Sequence, residues 1–425
     1  MSNIRALKEF STLKTGPFGT QFKASEYVAE GIPVINVKNI GYGNIVRDNL
    51  DYISEATRDR LSEHVLQCGD IVFGRKGSVD RHCLITEAEE GWLQGSDCLR
   101  VRITDPTVSP QYVSYYLLSS HVLKSINNAA VGSTMASINM DIIGDIKIML
   151  PSYEEQCKIA AVLKALDDKR AINTAVNDNL RQMARITFDY WFTQFDFPDD
   201  SGSPYRTAGG QLTWNDAAKK ELPIGWRCAK METAIEGIRT GLNPRDNFTL
   251  GGGNIRYITV KNLRTDGSLD YSGCDTIDET ARRIVHRRSD VSIGDILFAS
   301  IAPLGRCYLV QEPPVDWDIN ESVFSIRSNT AEVTTEYLYM HLQSEAFIKE
   351  ATACSTGSIF KGIRINSLLD SKIVIPPMHI LKQFSQEVQP IFAMQNKLNA
   401  ENQNLIQLRD WLLPMLMNGQ ASIED

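Results

Sequence analysis

The chain has 425 residues, roughly three times the usual single-domain length, so two or more domains are expected. Hydrophobic residues at 43% and charged residues at 23% are ordinary for a soluble globular protein and exclude collagen-like, low-complexity and fully disordered chains. The net charge of −8 is spread evenly, with 15 basic against 17 acidic residues over 1–150 and 17 against 19 over 223–375. A chain that held nucleic acid by bulk charge would be basic, so any DNA contact must come from local patches or be shared with a partner.

The first 150 residues are irregular. Short β-branched runs (Ile32–Val37, Gly69–Phe73, Leu99–Ile103) alternate with glycine-marked turns and with helical pieces near Glu55–Glu63 and Tyr112–Asn127. The segment closes on a strand-like Ile146–Leu150 and a proline. Ser152 then reads as the N-cap of a long helix with Glu154 and Glu155 in its first turn, complementing the helix dipole. Neither Gly nor Pro occurs from Tyr153 to Phe197. Ile159, Leu163, Leu166, Arg170, Asn173, Asn177 and Leu180 recur at 4-3 spacing, the heptad period of a supercoiled pair. At ~1.5 Å per residue, Glu154 to Trp191 spans roughly 57 Å. Residues 197–222, rich in Asp, Ser, Gly and Pro, read as an exposed linker.

The chain then repeats itself at an offset of 225. Gly69-Asp70-Ile71 falls on Gly294-Asp295-Ile296, Phe73 on Phe298, Arg81 on Arg306 and Tyr112 on Tyr337. Gly132-Ser133 falls on Gly357-Ser358, Pro151 on Pro376 and Asn177 on Asn402; near the start the offset is 223, with Val37-Lys38-Asn39 on Val260-Lys261-Asn262. So many matches in one order indicate a tandem duplication of whole domains. The second copy has its own seam, Phe384, Val388, Ile391, Gln395, Leu398, Asn402 and Leu405. Pro390 conflicts with that helix and predicts a bend, or a start near Ile391. The expected division is a domain at 1–150, a helix at 151–196, a linker at 197–222, a domain at 223–375 and a helix at 376–425. Asp70 and Asp295, each between a glycine and a strand, read as turn carboxylates.

Catalytic parts are missing. There is no P-loop, and Gly251-Gly252-Gly253 opens no dinucleotide fingerprint. The tetrad of base-methylating enzymes is absent, since Glu312-Pro313-Pro314-Val315 and Ile375-Pro376-Pro377-Met378 lack its acidic or amide head and aromatic tail. Six histidines show no metal-ligand spacing, and eight cysteines, never closer than 15 residues, form no C-x-x-C and read as reduced thiols. Asp167-Asp168-Lys169 mimics a nuclease tail but lies on the heptad helix, where charges usually form a solvated face. No stretch suits a membrane span, and Met1–Phe10 lacks the apolar region of a signal peptide, so a cytoplasmic protein is expected.

Several segments are specific in their order and duplication. They are Thr15-Gly16-Pro17-Phe18-Gly19, Gly31-Ile32-Pro33-Val34-Ile35, Gly69–Phe73 running into Arg75-Lys76-Gly77-Ser78, Leu150-Pro151 before Glu154-Glu155-Gln156, Leu166-Asp167-Asp168-Lys169, and Gly294–Phe298 with Ile375-Pro376-Pro377. On these the chain resembles the specificity subunit of type I restriction–modification systems along essentially its whole length. The second copy departs at Ser300-Ile301-Ala302-Pro303 and at Lys382-Gln383. The resemblance implies an α+β protein: two tandem, pseudo-repeated mixed α/β target recognition domains separated by two long antiparallel coiled-coil helices. Each domain would read one half of a bipartite site in double-stranded DNA. The helices would fix the gap and dock methyltransferase subunits and, through them, motor and endonuclease subunits. The chain itself would be non-catalytic and without a cofactor, with S-adenosylmethionine, ATP and magnesium on the partners. A protein-interaction scaffold and a specificity chain of a methylation-only complex are the alternatives.

Base reading calls for Arg, Lys, Asn, Gln, Ser or Thr on loops. The candidates in the first domain are Lys14, Thr15, Gln21, Lys23, Lys38, Asn39, Arg75, Lys76, Ser78, Arg81, Ser133 and Thr134. In the second they are Arg239, Thr240, Lys261, Asn262, Arg264, Arg306, Ser358, Lys361 and Arg364. For each of them a surface cation or polar group without a partner is about as good a reading.

Overall fold

The computed structural model describes residues 3–130, 137–354 and 362–423. Its three longest helices are α1 (Tyr153–Phe188, 36 residues), α2 (Glu279–Ser289, 11) and α3 (Met378–Met417, 40). The chain divides into two compact units, residues 1–170 with 403–425, and residues 171–402, so each unit holds part of α1 and part of α3. Among the described residues no helix is long and apolar enough to cross a membrane.

In the first unit a five-stranded sheet runs in the order Ser11–Thr15, Cys98–Ile103, Ile71–Gly74, His82–Leu84, Tyr42–Gly43. A four-stranded sheet takes the order Tyr27–Val28, Asp51–Ile53, Ile32–Ile35, Leu93–Gln94. The strand Asn3–Ala6 pairs antiparallel with Lys147–Leu150, which brings the two ends of the domain together. One apolar cluster, with Phe10, Phe73, Tyr112 and Ile148, continues into Ile159 and Leu163 of α1 and Leu413, Leu416 and Met417 of α3. Burial of Ile159 and Leu163, two expected seam positions, and of Leu413, Leu416 and Met417, which lie beyond the expected seam, holds these helix segments to the domain.

The second unit repeats the plan. A four-stranded sheet orders Ile235–Thr240, Val323–Ser328, Ile296–Ala299, Cys307–Leu309, and Arg227–Lys230 closes antiparallel on Lys372–Ile375. A parallel pair recurs in both units, Val34 beside Leu93 and Ile258 beside Ile319. Here Phe188, Trp191 and Phe192 pack with Phe384, Val388 and Phe392.

The long helices pair antiparallel, and each unit shows it separately. In the first, Arg409 donates to Asp167 at 3.2 Å. In the second, Asn173 donates to Glu401 at 2.8 Å and Asn402 at 3.1 Å, and Asn177 donates to Asn399 at 2.7 Å. Asn173 is buried, so these bonds satisfy an amide that would otherwise be costly. Of the other seam positions, Leu166, Leu180, Ile391, Leu398, Asn402 and Leu405 are half-buried. Ser152 caps α1 through the Glu155 N–H at 3.3 Å.

Two expectations need correction. Helix α3 runs unbroken from Met378 through Pro390 and Pro414. Both prolines are exposed, so the carbonyls they leave unbonded face water and not the core. Residues 197–222 are folded, not an exposed linker. Phe197 is buried, stacking on Tyr205 at 4.7 Å and Trp226 at 5.2 Å, and Leu212–Asn215 forms a hairpin with Lys220–Pro223. The polar residues that suggested a linker cap turns instead: Asp199 accepts from the Ser201 and Ser203 N–H groups, and Asp196 from that of Thr207.

Candidate nucleic-acid interface

Each domain is built around one buried ion pair, repeated at the same offset. Arg102 donates to both oxygens of Asp70 at 2.7 Å, and Arg327 to both oxygens of Asp295 at 2.8 and 2.9 Å. The same carboxylates accept turn N–H groups, Gln67 on Asp70 at 2.8 Å and Ser292 on Asp295 at 2.9 Å. The turn-carboxylate expectation thus describes part of their work, and the arginine partner, far away in sequence, supplies the rest. Tyr112 donates to the Met149 carbonyl at 2.8 Å, and Tyr337 to that of Val374. A further repeated contact supports the candidate loops: Ile138 N–H on the Arg75 carbonyl at 3.0 Å and Ile363 N–H on that of Ser300 at 2.8 Å. Two such strapped loops on a rigid sheet can present side chains to a ligand without losing their own order.

Four of the first domain's candidates are surface groups already held by neighbours. Lys38 pairs with Asp51 at 2.8 Å, Lys76 with Asp97 at 2.9 Å, and Lys14 with Glu63. The Arg81 guanidinium stacks 5.4 Å from the Tyr42 ring. Gln21, Lys23 and Ser78 are exposed, and Thr15 and Arg75 are half-buried. Ser133 and Thr134 lie outside the described residues, as do Ser358 and Lys361 of the second domain.

In the second domain Lys261 pairs with Asp275 at 3.8 Å, Arg264 with Asp270 at 2.5 Å, and Arg239 with Asp290. Thr240 accepts from Arg288 at 3.3 Å. Arg364 is exposed, and Arg306 is half-buried with its Nε unpartnered.

Asn39 and Asn262 have to be withdrawn. Both are buried, and their amides are committed to backbone. Asn39 donates to the Val46 and Asp48 carbonyls and accepts from the Asn36 N–H; Asn262 donates to the Asp270 carbonyl and accepts from the Thr259 N–H. Their recurrence in both repeats reflects a shared turn, not a base contact. Asp167 is likewise structural, accepting from Tyr115 at 3.0 Å and from Arg409. Among the described residues no cluster of His, Cys, Asp and Glu could hold a metal ion.

The sequence reading missed α2. Asp278 caps it through the Ala281 N–H at 2.7 Å, and Ala281, Val285 and Ser289 turn inward at i, i+4 and i+8. Arg283, Arg287 and Arg288 therefore face out. Behind them Asp318 is buried, accepting from Ser289 Oγ at 2.6 Å and sitting 3.0 Å from His286 Nδ1; burial pushes its carboxyl above the usual range. Arg282 is held by the Pro314 carbonyl at 2.6 Å. The helix fronts a cavity of about 450 Å³ lined by Arg239, Arg282, Arg283, His286, Arg287 and Asp290. The signal was legible: Ala-Arg-Arg-Ile-Val-His-Arg-Arg puts four arginines in seven residues of an acidic chain.

Comparison with known proteins agrees with this architecture. The model of the type I restriction modification DNA specificity domain matches residues 2–182. The type I restriction enzyme MjaIX specificity subunit of Methanocaldococcus jannaschii is 24% identical, covering 100% of this chain and 94% of its own length. The HindI specificity subunit of Haemophilus influenzae is 22% identical over 84% of this chain and 88% of its own. The crystal structure of a type I restriction–modification S subunit from M. genitalium shares the fold, with a TM-score of 0.59 at 15% identity, covering 98% of this chain and 96% of that one. With several core contacts repeated in its two domains and its long helices antiparallel, the chain is similar over its whole length to specificity subunits of type I restriction–modification systems, and its residues 2–182 match the model of their DNA specificity domain.

Proposed function

We propose that residues 1–150 and 223–375 each read one half of a bipartite DNA site, and that α1 and α3 set the gap between the halves. The observation that carries this reading is the repetition of one binding scaffold: the Arg102–Asp70 and Arg327–Asp295 pairs, and the straps on Arg75 and Ser300, recur at a single offset. Duplicated readers joined by helices suit a two-part target. In this reading the chain carries no catalysis of its own. Methyltransferase subunits dock on the long helices and bind S-adenosylmethionine, and motor and endonuclease subunits joined through them use ATP and magnesium. Docking is supported by an exposed apolar stripe on α1 and the turn after it, Ile172, Val176, Met183, Ile186 and Tyr190, spaced 4-7-3-4. Adenine methylation is then the partners' chemistry, aimed by this chain.

Single-molecule sequencing of modified adenines in the host tests the reading by returning both half-sites and their gap. Inserting one heptad after Leu180 and one after Gln395 should lengthen the gap by about three base pairs, since seven helical residues rise ~10 Å. Both half-sequences should stay the same. Altered half-sequences, or methylation independent of this chain, would overturn it.

A further inference from the structure

We infer that the outward face of α2 is a phosphate clamp, and that it gives the second domain most of the chain's own salt-dependent grip on DNA. The inference rests on the reading that this domain binds duplex DNA, and it assigns one helix to the backbone and not to the bases.

Three observations converge on it. First, Arg283 and Arg287 stand at i and i+4, a like-charged pair that disfavours an isolated helix by ~0.2–0.5 kcal/mol, and no ion pair relieves either of them among the described residues. A bridging anion would turn that repulsion into binding. Second, both arginines border the cavity of about 450 Å³, and Arg239 completes its rim from the neighbouring strand Ile235–Thr240. One acidic side chain, Asp290, also lines the cavity, and it is already paired with Arg239. Third, the helix is anchored from behind. Asp318 bonds Ser289 and sits beside His286, while the Pro314 carbonyl fixes Arg282. The guanidinium groups are therefore presented from a fixed backbone, which lowers the entropy lost on binding. Fixed arginines around a concave surface match the planar, bidentate recognition of phosphate oxygens.

The corresponding place in the first domain is built differently. Its short helix Glu55–Arg60 has Arg58 paired with Asp59 and Arg60 paired with Glu26, so no comparable free face exists there among the described residues.

The test uses the chain assembled with its methyltransferase subunits. Binding to a duplex carrying the mapped site and to a scrambled duplex is measured from 50 to 200 mM salt, for wild type, R283A/R287A, R283K/R287K and R58A/R60A. For R283A/R287A, affinity for both duplexes should fall by a similar factor, about 30-fold at 0.15 M salt. The slope of log K against log salt should shrink by about 1.8, the value for two lost phosphate contacts. R283K/R287K should restore the slope, and R58A/R60A should leave it within experimental error of wild type. An unchanged slope in R283A/R287A overturns the clamp. So does a loss confined to the mapped site, which would mean base reading. So does loss of methyltransferase subunits with an unchanged DNA slope, which would make the face a protein contact. Wild type failing to prefer the mapped site would instead sink the underlying DNA-reading proposal.

Discussion

The two repeated domains share their scaffold and differ in how their cations are paired. In the first, Lys14, Lys38, Lys76, Arg58 and Arg60 each have a carboxylate partner; in the second Arg239, Lys261 and Arg264 do too, but Arg283 and Arg287 front a cavity with no ion-pair partner among the described residues. Yet the Arg–Asp pair beneath each domain is the same to within 0.2 Å. Duplication preserved what holds the fold and left the surface free to diverge. This follows from the energetics: a buried pair is expensive to break, whereas exposed ion pairs contribute ~0–1 kcal/mol and can be exchanged cheaply.

The sharpest way to break this comparison is to remove the shared pair. Asp70→Asn and Asp295→Asn should each destabilise their own domain by about 3 kcal/mol, because each leaves a partly buried guanidinium without its counter-charge. Urea unfolding followed domain by domain measures this, and insensitivity at either site would show that the two are not equivalent.

A second comparison uses His82, whose counterpart at the same offset is Cys307. His82 is fully buried, one ring nitrogen bonded to Ser114 Oγ at 3.0 Å and the other unpartnered, and burial lowers its pKa to about 4. The unfolded chain binds the proton more readily, at an ordinary histidine pKa near 6.5, so stability from this site is intact above about pH 6.5 and declines towards pH 4. The loss at the acid end should approach ~3 kcal/mol. His82→Cys should flatten that part of the first domain's stability profile, because the buried Cys307-type thiol stays neutral throughout.

Next in size, Arg75→Ala with Lys76→Ala should weaken recognition of one half-site by ~1–3 kcal/mol and spare the other. Methylation of duplexes altered in either half would show it; equal loss in both would remove these residues from the contact surface. The smallest effect is expected at the matched pair Lys38→Met and Lys261→Met. Each breaks one exposed ion pair, to Asp51 or Asp275, and should shift stability by less than about 1 kcal/mol in thermal melting.

Much of the fold was legible in the amino-acid sequence. The heptad residues face inward because a 3.5-residue period admits one buried stripe on a helix, and Ser152 caps because its hydroxyl can reach an orphan N–H. The site was legible in outline only. Repetition singled out Asn39 and Asn262, but a repeated residue can be repeated for the turn it makes, and both amides are committed to backbone. The arginine run of α2 was visible as composition, yet nothing in the string showed which arginines turn outward. That depended on Ala281, Val285 and Ser289 being drawn into the core.

The amino-acid sequence by itself determined the duplication, the helical period and the strands between glycine turns, since each is set by neighbours a few residues apart or by one copy matching the other. Only the tertiary structure decided which polar groups remain free. Burial, the partner of a carboxylate 32 residues away and the tolerance of Pro390 on a solvent-facing turn all depend on what the folded chain brings together in space.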